Sequence, residues 1–455
     1  MSQRNLFGTD GVRGKANVHP MTGEVAMKLG RAVTYYFQQR SSVKKDEPII
    51  VLGKDTRLSC YMLEQAFSAG VCSQGGRVVL TGPLPTPGVA FVTQSMRADA
   101  GVVISASHNP YSDNGIKLFD ANGYKLPDSV ELELEKMVES PDMIPTPTND
   151  SLGRAKRLTE VYGRYIVHTK SAFSPQYDLE DMRIVLDCAN GAGYRVGPMI
   201  FEELGAEVIT MGVSPNGRNI NLDCGSLYPG QCQEMVLQYR ADLGICLDGD
   251  ADRVIISDGF GKVIDGDQLI GLCAKFLLDQ GLISKGHEVV GTVMTNFGLE
   301  RYLEKIGLSL HRTSVGDRYI IERMRQHGSV LGGEPSGHII FKQHSTTGDG
   351  ILAALKVMES MHYYQKDIRT LVDEINLYPN ILVNVKVDRK PPLEECATLQ
   401  QALKDASEIL GSGGRHLLRY SGTENLLRVM VESEDPQLAQ QVSEKLVAVV
   451  QEELR

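Results

Sequence analysis

The sequence predicts an α/β protein built from three successive α/β units with mixed sheets, followed by a smaller α+β unit. Three observations predict it. Apolar runs of strand length alternate along most of the chain with amphipathic stretches of helix length, the pattern of parallel or mixed sheets covered by helices. The 455 residues suit about three or four domains. Near the C-terminus the rhythm changes to a strand, a proline stop and a long amphipathic tail.

The first unit carries strand-like runs at "IIVLGKD" (49–55), "RVVLTG" (77–82) and "GVVIS" (101–105), with a helical stretch "LEQAFSAGVCSQG" between the first two. The segment "SPDMIPTPTNDSLG" (140–153) is rich in turn formers and reads as a linker. The rhythm returns at "RIVLDCANGAG" (183–193), "AEVITMG" (206–212) and "LGICLDGD" (243–250), and again at "EVVGTVMT" (288–295) and "SVLGGEPSG" (329–337). "ILVNVKVDRKPP" opens the last unit. Its tail spaces Leu438, Val442, Leu446 and Val449 as one face of a helix. The units are accordingly expected at 1–153, 154–256, 257–370 and 371–455.

Composition narrows the function classes. Hydrophobic residues are 42% and charged residues 23%, as in ordinary globular proteins. A net charge of −10 argues against a broad nucleic-acid footprint. No apolar run is long enough for a transmembrane helix. The opening "MSQRNLFGTDGVRG" has no apolar core of a secretory signal. The expectation is a cytoplasmic protein that engages neither nucleic acid nor membrane. The eight cysteines are Cys60, Cys72, Cys188, Cys224, Cys232, Cys246, Cys273 and Cys396. They are scattered, with no Cys-x-x-Cys pair, and read as reduced structural thiols. Cys224, in the polar "NLDCGS", is the one expected outside the core.

Four loops carry chemistry. In "GVVISASHNPYSDNG" (101–115) a buried strand delivers Ser105, Ser107, His108, Asn109 and Pro110 into a turn. These are turn formers, but the carboxyl end of an α/β sheet is also where ligands bind, so Ser107 reads as a candidate nucleophile. In "LDGDADRV" (247–254), Asp248, Asp250 and Asp252 repel one another unless a cation or arginine compensates. Hard oxygen ligands suit Mg²⁺. A solvated acidic turn is the alternative, and the longer calcium-loop pattern is not followed through. In "GGEPSGHI" (332–339), glycines permit tight turns that present Glu334, Ser336 and His338 to sugar hydroxyls or an amine. In "RYSGTENLLRV" (419–429), Arg419, Ser421, Gly422, Thr423 and Arg428 have the composition of a phosphate cradle, although Gly-Lys-Ser/Thr is missing. Read singly, the third and fourth loops fit a polar surface turn equally well. Arg13, between glycines in "FGTDGVRG", either caps a helix end or contacts an anion.

On these residues the chain resembles the α-D-phosphohexomutases over essentially its whole length. "SASHNP", "DGDADR", "GEPSGH" and "RYSGTE" look like that family's phosphoserine, metal, sugar-binding and phosphate-binding loops, in order. The resemblance implies four domains around a central cleft, each contributing one loop. It implies that Ser107 is phosphorylated, that Asp248, Asp250 and Asp252 hold one Mg²⁺ together with the Ser107 phosphate, and that His108, Lys117 and His338 lie near the reacting oxygens. Arg13 and Arg253 would stabilise the transferring phosphoryl group. Glu334, Ser336 and His338 would bind the sugar, and Arg419, Ser421, Gly422, Thr423 and Arg428 its other phosphate. Lys117 would serve as general base only with a lowered pKa. "FGTDGVRG" and "NGRNINLDCGS" (216–226) are similar to the bacterial branch acting on glucosamine phosphates. The implied reaction interconverts glucosamine 6-phosphate and glucosamine 1-phosphate, with a sugar 1,6-bisphosphate as intermediate and activator. Pro335, Ala251 and Asn425 stand where glutamine, glycine and proline are usual. Alternatives are a phosphomannomutase/phosphoglucomutase acting on neutral hexose phosphates, a catalytically silent sugar-phosphate sensor, and a secreted binding protein. The oligomeric state stays open, with a homodimer one outcome.

Overall fold

The computed structural model describes residues 5–8, 10–40, 47–421 and 425–454. The first unit is a seven-stranded mixed sheet of β1 (Phe7–Gly8), β2 (Gly11–Lys15), β3 (Ile49–Lys54), β4 (Arg77–Pro83), β5 (Ala100–Ile104), β6 (Asp113–Asp120) and β7 (Arg154–Arg157), in the order 1-2-6-5-3-4-7. Helices α1 (Gly23–Arg40), α2 (Ser59–Ser73), α3 (Thr86–Ser95) and α4 (Asp128–Glu139) cover it. The pleat of β3 explains why both faces are covered. Ile50 and Leu52 enter one hydrophobic core, while Val51 between them enters another, as successive strand residues must.

The second unit has β8 (Arg183–Asp187), β9 (Glu207–Met211), β10 (Leu243–Leu247), β11 (Val254–Asp258) and β12 (Val263–Ile264), ordered 12-11-10-8-9, with α5 (Val161–Ser171), α6 (Val196–Glu202) and α7 (Gly230–Tyr239). In the third unit β13 (Glu288–Thr292), β14 (Ser309–Thr313), β15 (Leu331–Gly333) and β16 (Ile339–Phe341) are ordered 14-13-15-16. Its helices are α8 (Gly266–Asp279), α9 (Phe297–Lys305), α10 (Asp317–His327), α11 (Gly350–Tyr364) and α12 (Ile368–Val372). The fourth is a three-stranded antiparallel sheet of β17 (Asn380–Lys386), β18 (Gly414–Tyr420) and β19 (Leu426–Ser433), ordered 17-19-18, with α13 (Ala397–Leu410) and α14 (Pro436–Leu454). One hydrophobic core runs through the first three units, whereas the fourth has its own.

The first three sheets share one device. A strand with a parallel neighbour runs into a loop, and the chain returns antiparallel beside it. Thus β5 returns as β6, β10 as β11 and β15 as β16. The three returns enclose the serine loop, the aspartate loop and the Glu334 loop.

Strand pairing moves three expected boundaries. β7 pairs with β4, so the first sheet extends to Arg157 rather than ending at 153. A boundary at 256 would cut β11, which pairs with β10 and β12; the second sheet ends at Ile264. Residue 370 falls inside α12, and the fourth sheet begins at Asn380. Cys224 is buried, contrary to expectation, and Cys72 is the thiol that is not. Arg13 lies on β2, paired with β6, and not in a flexible loop. Among the described residues no helix is long and apolar enough to cross a membrane.

Candidate active site

Ser107 sits just beyond β5, almost fully buried, in the left-handed region with φ 52°. Its N–H donates to Ser105 Oγ at 2.9 Å. Its own hydroxyl donates to Asp248 Oδ2 at 2.5 Å and lies 3.2 Å from His108 Nδ1. Two residues fix the loop from behind. Arg57, with no exposed surface, donates to the carbonyls of Ser107 (2.8 Å), Asn109 (2.9 Å) and Asp113 (3.2 Å), and also to Pro110 O. Its Nε pairs with Asp55 at 2.8 Å, and Asp55 accepts from Ser105 Oγ at 2.6 Å. From the second unit, Asn221 Nδ2 donates to Ser107 O and Asn109 O at 2.8 and 2.9 Å. A Cβ on Gly249 would lie 2.5 Å from Ser107 O, so glycine lets the aspartate loop approach the serine loop this closely.

Asp248, Asp250 and Asp252 each offer an oxygen within 4.8 Å of the others, and all three are buried. Asp248 Oδ1 accepts from Arg253 N at 3.2 Å. Asp250 Oδ2 accepts from Thr86 Oγ1 at 2.5 Å and from Lys117 Nζ at 2.8 Å. Among the described residues, Asp250 Oδ1 and Asp252 Oδ1 are buried without a hydrogen-bond partner. Burial, then the charges of Asp252 and Asp250, push the Asp248 carboxyl well above the usual carboxylate range. Orphaned oxygens on clustered, buried carboxylates, with a serine oxygen beside them, fit a hard divalent cation such as Mg²⁺. Ala251 holds φ 55°, a left-handed conformation that costs a non-glycine residue about 1–3 kcal/mol. That is the physical reason glycine suits this position.

Lys117, on β6, is fully buried against these carboxylates. It lies 2.8 Å from Asp250, 3.4 Å from Asp252 and 3.4 Å from Asp10. Burial opposes its charge, but Asp10, Asp250 and Asp252 outweigh burial and raise its pKa well above the ordinary value. The carboxylates around Lys117 thus favour its charged form.

A cavity of about 270 Å³ opens beside the triad, with Arg13, Asp252, Arg253, Glu334 and His338 in its wall. Among the described residues, Arg13 Nε and Arg253 Nε are buried without a hydrogen-bond partner, Arg253 Nε lying 3.9 Å from Asp252 Oδ1. Burial, then Arg253 and Arg13, lower the His108 pKa to about 4, so its ring is neutral near pH 7. Burial disfavours charge on His338, yet the negative charge of Asp252, whose Oδ1 lies 3.7 Å from Nδ1, and that of Asp317 raise its pKa. His338 Nε2 accepts from Gly348 N at 3.0 Å. Glu334 accepts from Gly316 N at 3.2 Å and from Ser336 Oγ at 3.4 Å.

The structure thus brings together Ser107, His108, Lys117, the three aspartates, Arg13, Arg253, Glu334, Ser336 and His338. Among the described residues, none of the fourth loop lines this cavity. Arg419 and Arg428 face each other across β18 and β19, and neither they nor Ser421 line it. Gly422 and Thr423 lie outside the described residues. The sequence reading missed Arg57, Thr86, Asp10, Lys125 and Asp317. Lys125 Nζ bridges Asp10 of the first unit and Asp317 of the third, 2.7 Å from the latter. A charged "KDTR" directly after an apolar strand was the available signal for Arg57.

Comparison with known proteins agrees with this geometry. The chain matches the phosphoglucomutase/phosphomannomutase models for alpha/beta/alpha domain I (residues 4–144), domain II (161–261), domain III (265–378) and the C-terminal domain (382–449). It is 54% identical over 433 residues, 95% of each chain, to a phosphoglucosamine mutase of Pelobacter propionicus. It is 50% identical over 453 residues, 99% of this chain and 100% of the relative, to one of Nitratidesulfovibrio vulgaris. Among solved structures, a phosphoglucomutase/phosphomannomutase family protein of Burkholderia thailandensis superposes with TM-score 0.82 at 20% identity, covering 98% and 97% of the two chains. The N-acetylphosphoglucosamine mutase of Aspergillus fumigatus, solved with GlcNAc-6P and magnesium, gives 0.67 at 18% identity, covering 100% and 96%. These structures share the fold, and the sequence matches go further: with all four domains present in order, this chain belongs to the phosphoglucomutase/phosphomannomutase family of phosphohexomutases.

Proposed function

We propose that the chain interconverts glucosamine 6-phosphate and glucosamine 1-phosphate, supplying amino-sugar precursors for a bacterial cell wall. Ser107 carries the phosphoryl group. A sugar hydroxyl attacks phosphorus as the bond to Ser107 Oγ breaks; the hydroxyl's proton leaves the sugar oxygen and ends on Ser107 Oγ, giving a sugar 1,6-bisphosphate and the free serine. After the bisphosphate turns over, Ser107 takes back the other phosphate. The observation that carries this reading is the Ser107 hydroxyl, held 2.5 Å from Asp248 at the edge of a buried aspartate triad.

Phosphoryl transfer needs mostly positioning and charge stabilisation. Arg57 and Asn221 fix the serine loop. Arg13 and Arg253, whose Nε groups lack hydrogen-bond partners among the described residues, offer donors to equatorial phosphoryl oxygens. Lys117 adds positive charge beside the triad, and His338 Nδ1 lies 3.7 Å from Asp252 Oδ1. One Mg²⁺ held by Asp248, Asp250, Asp252 and the Ser107 phosphate would neutralise charge on the transferring group. The paired guanidinium groups of Arg419 and Arg428, with Ser421, Gly422 and Thr423, serve the phosphate that is not reacting.

Two observations support the amino sugar. The relatives matched over nearly the whole chain are named phosphoglucosamine mutase. Glu334 presents a carboxylate in the cavity wall, where an ammonium at sugar C2 gains a charge-assisted bond that a hydroxyl does not match. The test is the ratio of catalytic efficiencies on glucosamine and glucose phosphates, each with its bisphosphate activator. The expected ratio favours glucosamine. A ratio near one, or one favouring glucose or mannose, assigns the chain to neutral hexoses.

A further inference from the structure

Thr86 opens α3 in the first unit, whereas Asp250 lies in the aspartate loop of the second. Two hydrogen bonds join them. Thr86 Oγ1 donates to Asp250 Oδ2 at 2.5 Å, and Thr86 N donates to Asp250 O at 3.0 Å. Thr86 has no exposed surface, so no water competes for either bond. Lys117 Nζ donates to the same Oδ2 at 2.8 Å. Asp250 Oδ2 is thereby filled by a hydroxyl and an ammonium, while Oδ1 is buried and accepts nothing among the described residues. A carboxylate anchored through one oxygen presents the other in a fixed direction, which is how outer partners orient metal ligands.

We infer that Thr86 is a positioning residue for cation binding: its hydroxyl locks the Asp250 carboxylate so that Oδ1 faces the space shared with Asp248 and Asp252. The inference rests on the reading of the triad as a divalent-cation site. It explains a feature the aspartate loop alone does not. Three adjacent carboxylates repel, and Asp250 needs a neutral donor from outside the loop to hold its orientation. Lys117 cannot hold it alone, because its ammonium is shared with Asp252 and Asp10. The bond also ties the aspartate loop to the unit that carries Ser107.

The test is direct Mn²⁺ binding by the full-length chain, with free Mn²⁺ read by electron paramagnetic resonance and Ser107 phosphorylation matched by intact mass. Thr86→Val keeps the branched shape and removes the donor; the expected rise in Kd is about 10- to 100-fold. Thr86→Ser keeps the donor and should bind within about threefold of wild type. Melting temperatures without metal accompany each titration. If the valine variant does not fold, Thr86→Ala replaces it with the same expectation. Wild-type affinity in the variant lacking the hydroxyl, or an equal loss in Thr86→Ser, overturns the inference while the cation reading stands. A wild-type chain that binds no Mn²⁺ overturns both.

Discussion

At the scale of single residues, Ser107 and Arg57 separate chemistry from support. Ser107→Ala removes only a hydroxyl that donates to Asp248. It should abolish mutase activity and leave the melting temperature nearly unchanged, and peptide mapping of 101–117 should place the phosphate on Ser107 in the wild type. Full activity in the alanine variant would contradict the assignment. Arg57→Met acts differently. It leaves Asp55, itself fully buried, without its cation and removes one donor from each of four loop carbonyls. Breaking a buried pair costs about 3–5 kcal/mol, so urea unfolding should show a loss of that order. An unchanged midpoint would show that the loop holds itself. Ser107 and the aspartates were legible because polar residues follow an apolar strand within a few positions. Thr86 was not, because its partner Asp250 comes from a distant segment; the carbonyls that Arg57 holds and the lysines beside Asp10 are likewise brought to them only by folding.

At the scale of elements, long apolar strands were legible and short polar ones were not. β5 reads AGVVI and is buried throughout. β7 reads RAKR with every residue exposed, so no periodicity marks it, and the first boundary was placed too early. β12 and β16 have two and three residues, too few to show alternation. α11 carries a pH-dependent cap. Asp349 Oδ1 accepts from Ile351 N and Leu352 N at 3.1 and 3.0 Å, and Oδ2 from Tyr165 Oη at 2.9 Å. Burial outweighs these bonds and raises its pKa from 3.8 to about 6. The native state therefore keeps a proton there that the unfolded chain releases. This contribution to stability is full below about pH 4 and is lost as pH rises through about 6. It amounts to roughly 3 kcal/mol. Asp349→Asn removes the titration. Its stability relative to wild type should rise between pH 4.5 and 7.5, measured by urea unfolding, and a difference independent of pH would reject this account.

At the scale of the whole molecule, the aspartate and Glu334 returns line one cavity, the serine return is bonded to the aspartate loop, and the fourth unit has its own core. Arg415 docks it on the third unit, donating to Val293 O at 3.0 Å and Thr295 O at 2.7 Å while pairing with Glu432 at 2.5 Å. The convergence was legible only as four loops in sequence; nothing in local pattern says which loops meet. Arg419 and Arg428 lie on adjacent strands of that fourth unit, opposite each other. Burial, then the charge of Arg428, lower the Arg419 pKa, and among the described residues Arg428 Nε is buried without a hydrogen-bond partner and neither guanidinium forms an ion pair, so two like charges sit together on adjacent strands. Both sugar monophosphates and the bisphosphate present a phosphate when the other end reacts. Arg419→Ala should therefore weaken substrate and product alike. A charge-assisted hydrogen bond contributes about 1.5–3 kcal/mol, so each affinity should fall about 10- to 100-fold. Phosphorylation of Ser107 by excess bisphosphate should persist, because the serine loop belongs to the first unit. Unchanged binding of both monophosphates would remove the fourth loop from substrate recognition, and loss of only one would show that it reads a single orientation of the sugar.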